Sequence, residues 1–340
     1  MGKSDNSVTI IDVAREAGVS NSTVSRVVNN SAQVSPKTRE KVLNAMMRLG
    51  YVVNQQARSL RGGRSQVIGL LVHEVGNPYI GEMIRGIDEE LAANQYEMLL
   101  YTTRRRKTKE STFVANIARG LADGLLVLLP RDLGSYVETL KQQRFPFVLI
   151  DYPADENMVP SVIASNWQGA YDATSYLISI GHTRIGIITG FMEIAAAVNR
   201  LEGYKAALSD HGIDYDPSLV YEGDFFQTDG FAGASALLDL PHPPTAIFAS
   251  NDVAAFGVMD AIRSRGLRIP QDVSVIGFDD IPQAQHSFPK LTTVRQPLAQ
   301  MGRIGAQMLL RRIANPDLPV QQLEVATELI IRDSCQPPKA

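Results

Sequence analysis

Polar and aromatic side chains follow a series of short apolar runs. Asn77 and Tyr79 come after VIGLLV (67–72), Asp151 after FVLI (147–150), and Asn166-Trp167 after SVIAS (161–165). Arg200 closes the segment after RIGIITG (184–190), and Phe225-Phe226 follow LVYEGD (219–224). Asn251-Asp252 follow TAIFAS (245–250), and Asp279-Asp280 follow VSVIGF (273–278). Carboxylates, an amide, one arginine and aromatic rings at strand ends suit a sugar. Its hydroxyls need paired donors and acceptors, and its C–H faces stack on aromatics. Plainer roles stay open for several of them. Asp279 or Asp280 could cap a turn, Trp167 could be packing, and Asp252 reads as the N-cap of the helix it begins. Arg200 at a helix start would face the positive end of the helix dipole, which favours a functional reading.

A second set lies near the N-terminus, in DVAREAGVSNSTVSRVV (12–28). Asn21, Ser22 and Arg26 are side chains that can bond base edges, Arg26 in bidentate fashion to guanine. Thr9, Ser20, Thr23, Ser25 and Asn29 are short donors suited to phosphates, which position a protein on nucleic acid without specifying sequence. Charge agrees. Residues 1–64 hold ten basic and four acidic residues, a net +6 against −9 for the remainder of a chain whose total is −3. That asymmetry is the footprint of a small polyanion-binding module on an acidic body.

No P-loop, GxSxG or HExxH occurs, and the five histidines (73, 182, 211, 242, 286) are scattered. No catalytic constellation, cofactor motif or metal-ligand spacing emerges. The adjacent Asp279 and Asp280 are weak evidence for a metal by themselves. His182, in SIGHTRIG, reads as a histidine that hydrogen-bonds backbone. The run RRRK (104–107) reads as a solvated loop, with a phosphate site as the alternative. The single cysteine, Cys335, permits no disulfide within the chain and fits a reducing compartment. The N-terminus lacks the apolar core of a signal peptide, and no segment approaches about 18 uncharged apolar residues. The expectation is a cytoplasmic, non-membrane protein.

The elements that must position these groups are legible. Thr9 with Asp12 caps a helix that Gly18 ends, and Ser20 caps a second with Val24, Val27 and Val28 inward. Ser35-Pro36 starts a third helix that runs to Leu49, with Val42, Leu43, Met46 and Leu49 on its inner face and Gly50 as its stop. Two helices about a short glycine turn, braced by a third, form a helix-turn-helix. The same spacing also fits a plain three-helix bundle with a solvated polar face. From Val67 on, apolar runs alternate with amphipathic segments. That pattern predicts parallel strands covered on both faces, in two successive sets. SVIAS opens the second set, and helices are expected near 79–94, 198–211, 252–265 and 298–314. Ligands of such sheets bind at the carboxyl ends of the strands.

The segment VTIIDVAREAGVSNSTVSRVVNN, with VSPKTREKVLNAMMRLGYVVNQQARSLRGGRSQVIGLLV beyond it, closely resembles the head of the lactose-repressor (LacI/GalR) family of bacterial transcription regulators. The resemblance extends over essentially the whole chain. It implies an α/β protein with an all-α helix-turn-helix head and two doubly wound parallel-sheet subdomains of the periplasmic-binding-protein type. It implies a DNA-binding domain at 1–53 and a hinge helix and linker at 54–64. The core then has an N-subdomain at 65–160 with 292–320 returning, and a C-subdomain at 161–291 with 321–333 returning. The hinge matches Asn54–Leu60. Leu60 stands where the family inserts a leucine into the minor groove, Asn54, Ala57 and Arg58 lie along that groove, and Gly62-Gly63 loosen the join. So short a helix would need a second copy and DNA to form. The implied effector ligands are Asp151, Arg200, Asn251 and Asp279, with Tyr79, Trp167 and Phe225 as stacking groups. The implied partners are a pseudo-palindromic double-stranded operator, a small effector (a sugar before a purine or phosphosugar) and a second copy of the chain, with a higher oligomer open. No cofactor is implied.

Overall fold

A capping box opens the first helix. In the computed structural model, the Thr9 backbone N–H and hydroxyl both donate to the Asp12 carboxylate, at 2.9 and 2.7 Å, at the start of α1 (Ile10–Ala17). Gly18 ends α1 at φ 64°, a left-handed conformation that costs a glycine nothing. The described residues are 8–28, 33–51, 64–103, 110–129, 137–152 and 159–339. They fall into two units divided between Ser65 and Gln66.

In the first unit, α2 (Asn21–Val28) and α3 (Pro36–Leu49) complete the bundle. Ser35 accepts from the Thr38 amide and Gly50 takes φ 63°, so the third helix starts and stops where its sequence signals stand. The core is Val13, Ala14, Val24, Val27, Val42 and Ala45. Leu43 departs from expectation: it is 45% exposed, and Ala45 takes the inner position. A small residue lets α3 approach its neighbours where a leucine would hold it off.

The second unit contains two six-stranded sheets. The first is built from β1 (Val67–Val72), β2 (Glu97–Thr102), β3 (Gly124–Leu128), β4 (Phe147–Ile150), β5 (Ser161–Ala164) and β11 (Gln322–Val325), in the order β11-β5-β4-β3-β1-β2. The second contains β6 (Ile185–Ile188), β7 (Val220–Tyr221), β8 (Ala246–Ala249), β9 (Ser274–Asp279), β10 (Thr292–Arg295) and β12 (Glu328–Ile330), in the order β12-β10-β9-β8-β6-β7. All pairings are parallel except β10 with β12. Strands β1, β3, β4, β6, β8 and β9 are buried throughout, as sheets covered on both faces require.

Helices α4 (Pro78–Ala93), α5 (Glu110–Asn116), α6 (Val137–Gln142) and α11 (Leu298–Ala314) accompany the first sheet, α11 packing on α4 and on β3 to β5. Helices α7 (Asn166–Ser179), α8 (Ala195–Asp210), α9 (Gln227–Leu238) and α10 (Asp252–Ser264) accompany the second.

This arrangement corrects the boundary drawn through SVIAS. Strand β5 pairs with β4 and β11 and completes the first sheet, so the change of lobe falls after it, at Ser165. The return is corrected likewise. β10 belongs to the second sheet and β11 to the first, so the chain crosses near Gln296 and again between Val325 and Glu328. An apolar run states that a strand is buried but not which sheet buries it. Helix α8 begins at Ala195, three residues before the expected start, which places Arg200 in its second turn. The dipole argument for Arg200 therefore fails, since the effect fades beyond the first turn.

Candidate functional site

In the first unit the face of α2 opposite Val24 and Val27 carries Asn21, Ser22 and Arg26, all exposed, with Ser25 and Thr23 half-buried. Ser20 accepts from the Thr23 amide at 3.2 Å, and its hydroxyl lies 2.8 Å from those of both Ser22 and Thr23. Three of the expected contacts are thus one hydroxyl cluster that shapes the helix start. Thr9 is exposed but its hydroxyl is held by Asp12. That pair keeps the Asp12 carboxyl below its ordinary range, through the Thr9 side chain first and its backbone second. The first turn of α2 carries no acidic residue to repel a phosphate. Asn29, Asn54, Ala57, Arg58 and Leu60 lie outside the described residues, as do Gly62, Gly63 and RRRK (104–107).

In the second unit a cavity opens at the carboxyl ends of both sheets. It holds about 740 Å³ of space, open to solvent on one side. Tyr79, Asp151, Arg200, Phe225, Asn251 and Asp279 line it, which brings together six of the seven expected effector residues. Trp167 is not among them. It is 41% exposed and stacks on Tyr171, 5.3 Å between ring centres, while its neighbour Asn166 turns inward. His73, Glu74, Leu129 and Asp224 also line the cavity without having been singled out. Each sits within three residues of a strand's carboxyl end, so the rule that located the others would have reached them.

The cavity wall is charged and dry. Arg200 is 3% exposed, and one of its guanidinium nitrogens lies 3.7 Å from Asp279. Its Nε donates to Asn166 Oδ1 at 2.9 Å, a second nitrogen donates to the Ser250 carbonyl, and the Phe278 ring lies 3.8 Å beneath the guanidinium. Asp279 accepts from Gln296 Nε2 at 2.7 Å. Burial raises the Asp279 carboxyl to about 7, against the opposing pull of Arg200 and the Gln296 bond. From the other lobe, Tyr79 donates its hydroxyl to Asp151 Oδ2 at 2.6 Å. Burial raises the Asp151 carboxyl, and it raises the Tyr79 phenol well above its ordinary value.

Backbone conformation concentrates here too. Leu129, Asp151, Phe225 and Asp279 all have positive φ, between 49° and 114°, though none is glycine. Non-glycine residues are held this way only where their surroundings over-determine them, as at ligand sites. The Phe225 ring covers Gly190, where a Cβ would fall 1.9 Å from the ring.

Two local expectations change. Asn251, not Asp252, caps α10, accepting from the Ala254 amide at 2.8 Å while its amide donates to the Phe225 carbonyl at 3.1 Å. Asp252 is fully buried, taking a bond from the Thr293 hydroxyl at 2.5 Å and one from the Ile281 amide at 2.9 Å. Asp280 is tied to Arg295 and Arg332 at 2.8 and 2.6 Å and braces the turn after β9. His182 is buried, with Nε2 2.9 Å from the Gln336 carbonyl and Nδ1 2.8 Å from the Thr245 hydroxyl, and burial lowers its pKa. No group of His, Cys, Asp or Glu among the described residues could hold a metal ion, and no described helix is long and apolar enough to cross a membrane.

Comparison with known proteins adds to this geometry. Residues 9–54 match "Bacterial regulatory proteins, lacI family" and residues 174–335 match "Periplasmic binding protein-like domain". The chain is 37% identical over 326 residues to the ribose operon repressor of Haemophilus influenzae, covering 96% of this chain and 98% of that protein. It is 34% identical over 329 residues to the transcriptional repressor PurR of Vibrio atlanticus, at 96% and 98% coverage. Among solved structures it is similar to a complex of the transcriptional regulator CelR with cellobiose (35% identity, TM-score 0.75, 96% and 99% of the two chains). It is also similar to the lac repressor dimer bound to operator and an anti-inducer (29% identity, TM-score 0.85, 97% and 99%).

Proposed function

The chain belongs to the LacI family of bacterial regulatory proteins, and on that premise we propose that it is a sugar-responsive transcriptional repressor. The observation that carries this reading is the end-to-end match to repressors by a chain that retains both a polar recognition face on α2 and a charged, pre-shaped cavity. Asn21, Ser22 and Arg26 read base edges in the major groove, and the hydroxyl cluster around Ser20 sets the helix against phosphates. Asn54–Leu60 forms the minor-groove hinge, with Leu60 as its wedge. Two copies of the chain read half-sites about 10 bp apart.

A sugar enters the cavity as a neutral polyol. Asp279 and Asp151 accept its hydroxyls from opposite lobes, Arg200 donates, and Phe225 stacks on a C–H face. Because ligand contacts come from both lobes, occupancy draws the lobes together and changes the presentation of the reader. A coupling of about 1–3 kcal/mol is sufficient for such a switch. The chain acts in the cytoplasm as a regulator and catalyses no reaction.

The test uses the full chain, fluorescent duplexes from upstream of its own gene, and a sugar panel that includes ribose and cellobiose. A duplex bound far more tightly than random sequence, with affinity altered by one of the sugars, is the expected outcome. Equal affinity for every duplex would remove the regulator reading, and operator binding indifferent to every sugar would remove the sugar.

A further inference from the structure

The chain passes between the two lobes of the second unit three times, at 164–166, 295–298 and 325–328. Two of these crossovers are bonded to each other. Thr327 donates its amide to the Ser165 hydroxyl at 3.0 Å and its hydroxyl to the Ser165 carbonyl at 3.3 Å. The cavity wall reaches the crossovers by two further routes, and both start from the same ion pair. Arg200 donates to Asn166 Oδ1, and Asn166 in turn donates to the Ala164 carbonyl at 3.2 Å, within the first crossover. Asp279 accepts from the Gln296 side chain at 2.7 Å, and its carbonyl accepts the Gln296 amide at 3.2 Å, within the second.

Gln296 then governs the start of α11. Its carbonyl accepts the Leu298 amide at 2.8 Å, and Leu298 is the first residue of the helix that packs on β3 to β5. Gln296 is 3% exposed, yet its Oε1 has no hydrogen-bond partner. A buried acceptor left unsatisfied is costly, and in native structures it calls for an explanation. The Ser250 hydroxyl, beside the carbonyl that receives Arg200, is unpartnered as well. An arrangement that is fully bonded at Arg200 and Asp279 but incomplete at the residues behind them has a second arrangement within reach. Coupling between sites needs such a two-state element.

We infer that Asn166 and Gln296 are positioning residues that transmit the state of the Arg200–Asp279 pair to the two crossovers, Asn166 from the arginine and Gln296 from the aspartate. A ligand hydroxyl that takes the Asp279 carboxylate competes with the Gln296 amide. The released amide turns, and the start of α11 moves with it. This rests on the reading of the cavity as an effector site, but it is tested without any effector, because protonation of Asp279 disturbs the same bond.

The experiment is a titration of the isotopically labelled full chain from about pH 5 to about pH 9, a range that spans a carboxyl raised to about 7. Chemical shifts are read at the Asp279 carboxyl carbon, the Gln296 side-chain amide and the backbone amides of Asn166 and Leu298. The charged and titratable groups that face Asp279 are Arg200 on α8, Asp151 and Tyr79 from the other lobe, and Asp252 on α10, with Asp280 adjacent and held by Arg295 and Arg332.

In the unsubstituted chain, Leu298 and the Gln296 side chain should titrate with the midpoint of Asp279. Gln296→Leu should abolish the Leu298 response and leave that of Asn166, and Asn166→Leu should do the reverse. A merely structural role would lower the unfolding midpoint without separating the two responses. A Leu298 signal that does not follow Asp279 in the unsubstituted chain overturns the inference with no variant needed, and so does an unchanged Leu298 response in Gln296→Leu. A chain that passes this titration but binds none of the sugars keeps the relay and loses the sugar reading, so the two failures are distinguishable.

Discussion

The reader helix and the cavity solve opposite problems. On α2 the recognition groups are exposed, short and uncharged apart from Arg26, and the backbone beneath them is ordinary helix. In the cavity the charged groups are buried, each has partners, and four of the lining residues are held at positive φ. The reader borrows its desolvation from the DNA it meets, whereas the cavity is desolvated before anything binds. Substitutions on α2 should therefore change binding without changing folding. Substitutions in the cavity wall should change both.

The largest expected effect is at Asp279. Asp279→Ala leaves Arg200 buried without its carboxylate, and removing one member of a buried pair costs about 3–5 kcal/mol. A urea midpoint well below that of the unsubstituted chain, with the sugar response lost and operator binding still measurable, is the expected result. A normal sugar response would place the effector elsewhere. Arg26→Ala is the matching substitution on the reader. It should weaken specific binding by about 1–3 kcal/mol, affect random duplex less, and leave the urea midpoint unchanged. Equal losses on both duplexes would mean that Arg26 contacts phosphate rather than a base.

Acidity sharpens the contrast. The Asp279 carboxyl is raised from 3.8 to about 7, so between those values the unfolded chain has lost a proton that the folded chain keeps. Its contribution to stability is full at low pH and is lost as pH rises through about 7. The Asp12 carboxyl in the first unit is lowered, so its contribution is present above the ordinary carboxylate value and is lost on acidification. Asp279→Asn should flatten the pH dependence of the core's unfolding between about pH 4 and pH 7, and Asp12→Asn should flatten that of the head at lower pH. Slopes of the same sign in the two units would contradict both assignments. Smaller still, Ser20→Ala should cost the head about 1 kcal/mol through the lost cap, read by its melting temperature. Trp167→Ala should leave sugar affinity unchanged, since the ring stacks on Tyr171 outside the cavity.

Legibility follows the same division. The head could be read almost residue by residue because its signals are local: the Thr9–Asp12 box, Gly18, Ser35-Pro36 and Gly50 act within one turn of where they stand. Leu43 escaped because periodicity ranks apolar residues without knowing where a close approach requires alanine. In the core the strands and the limits of α11 were legible, but the sheet that β5 joins was not, since pairing with β11 spans about half the chain. The carboxyl-end rule located Tyr79, Asp151, Asn251 and Asp279, and family resemblance selected Arg200 and Phe225. Neither could find Asn166 and Gln296 as partners of the ion pair, because their roles depend on contacts across lobes. Trp167 was misassigned for a related reason: of two adjacent residues at a helix start, the sequence does not say which turns inward.

The central claim is that one chain couples a sugar cavity to a DNA reader. The most direct measurement is the affinity of the full chain for its own upstream duplex, by fluorescence anisotropy, with and without the sugar that gives the largest thermal shift. The account predicts a change of about 5–150-fold, the range of ordinary allosteric coupling. An affinity that stays the same while the cavity is saturated would contradict it.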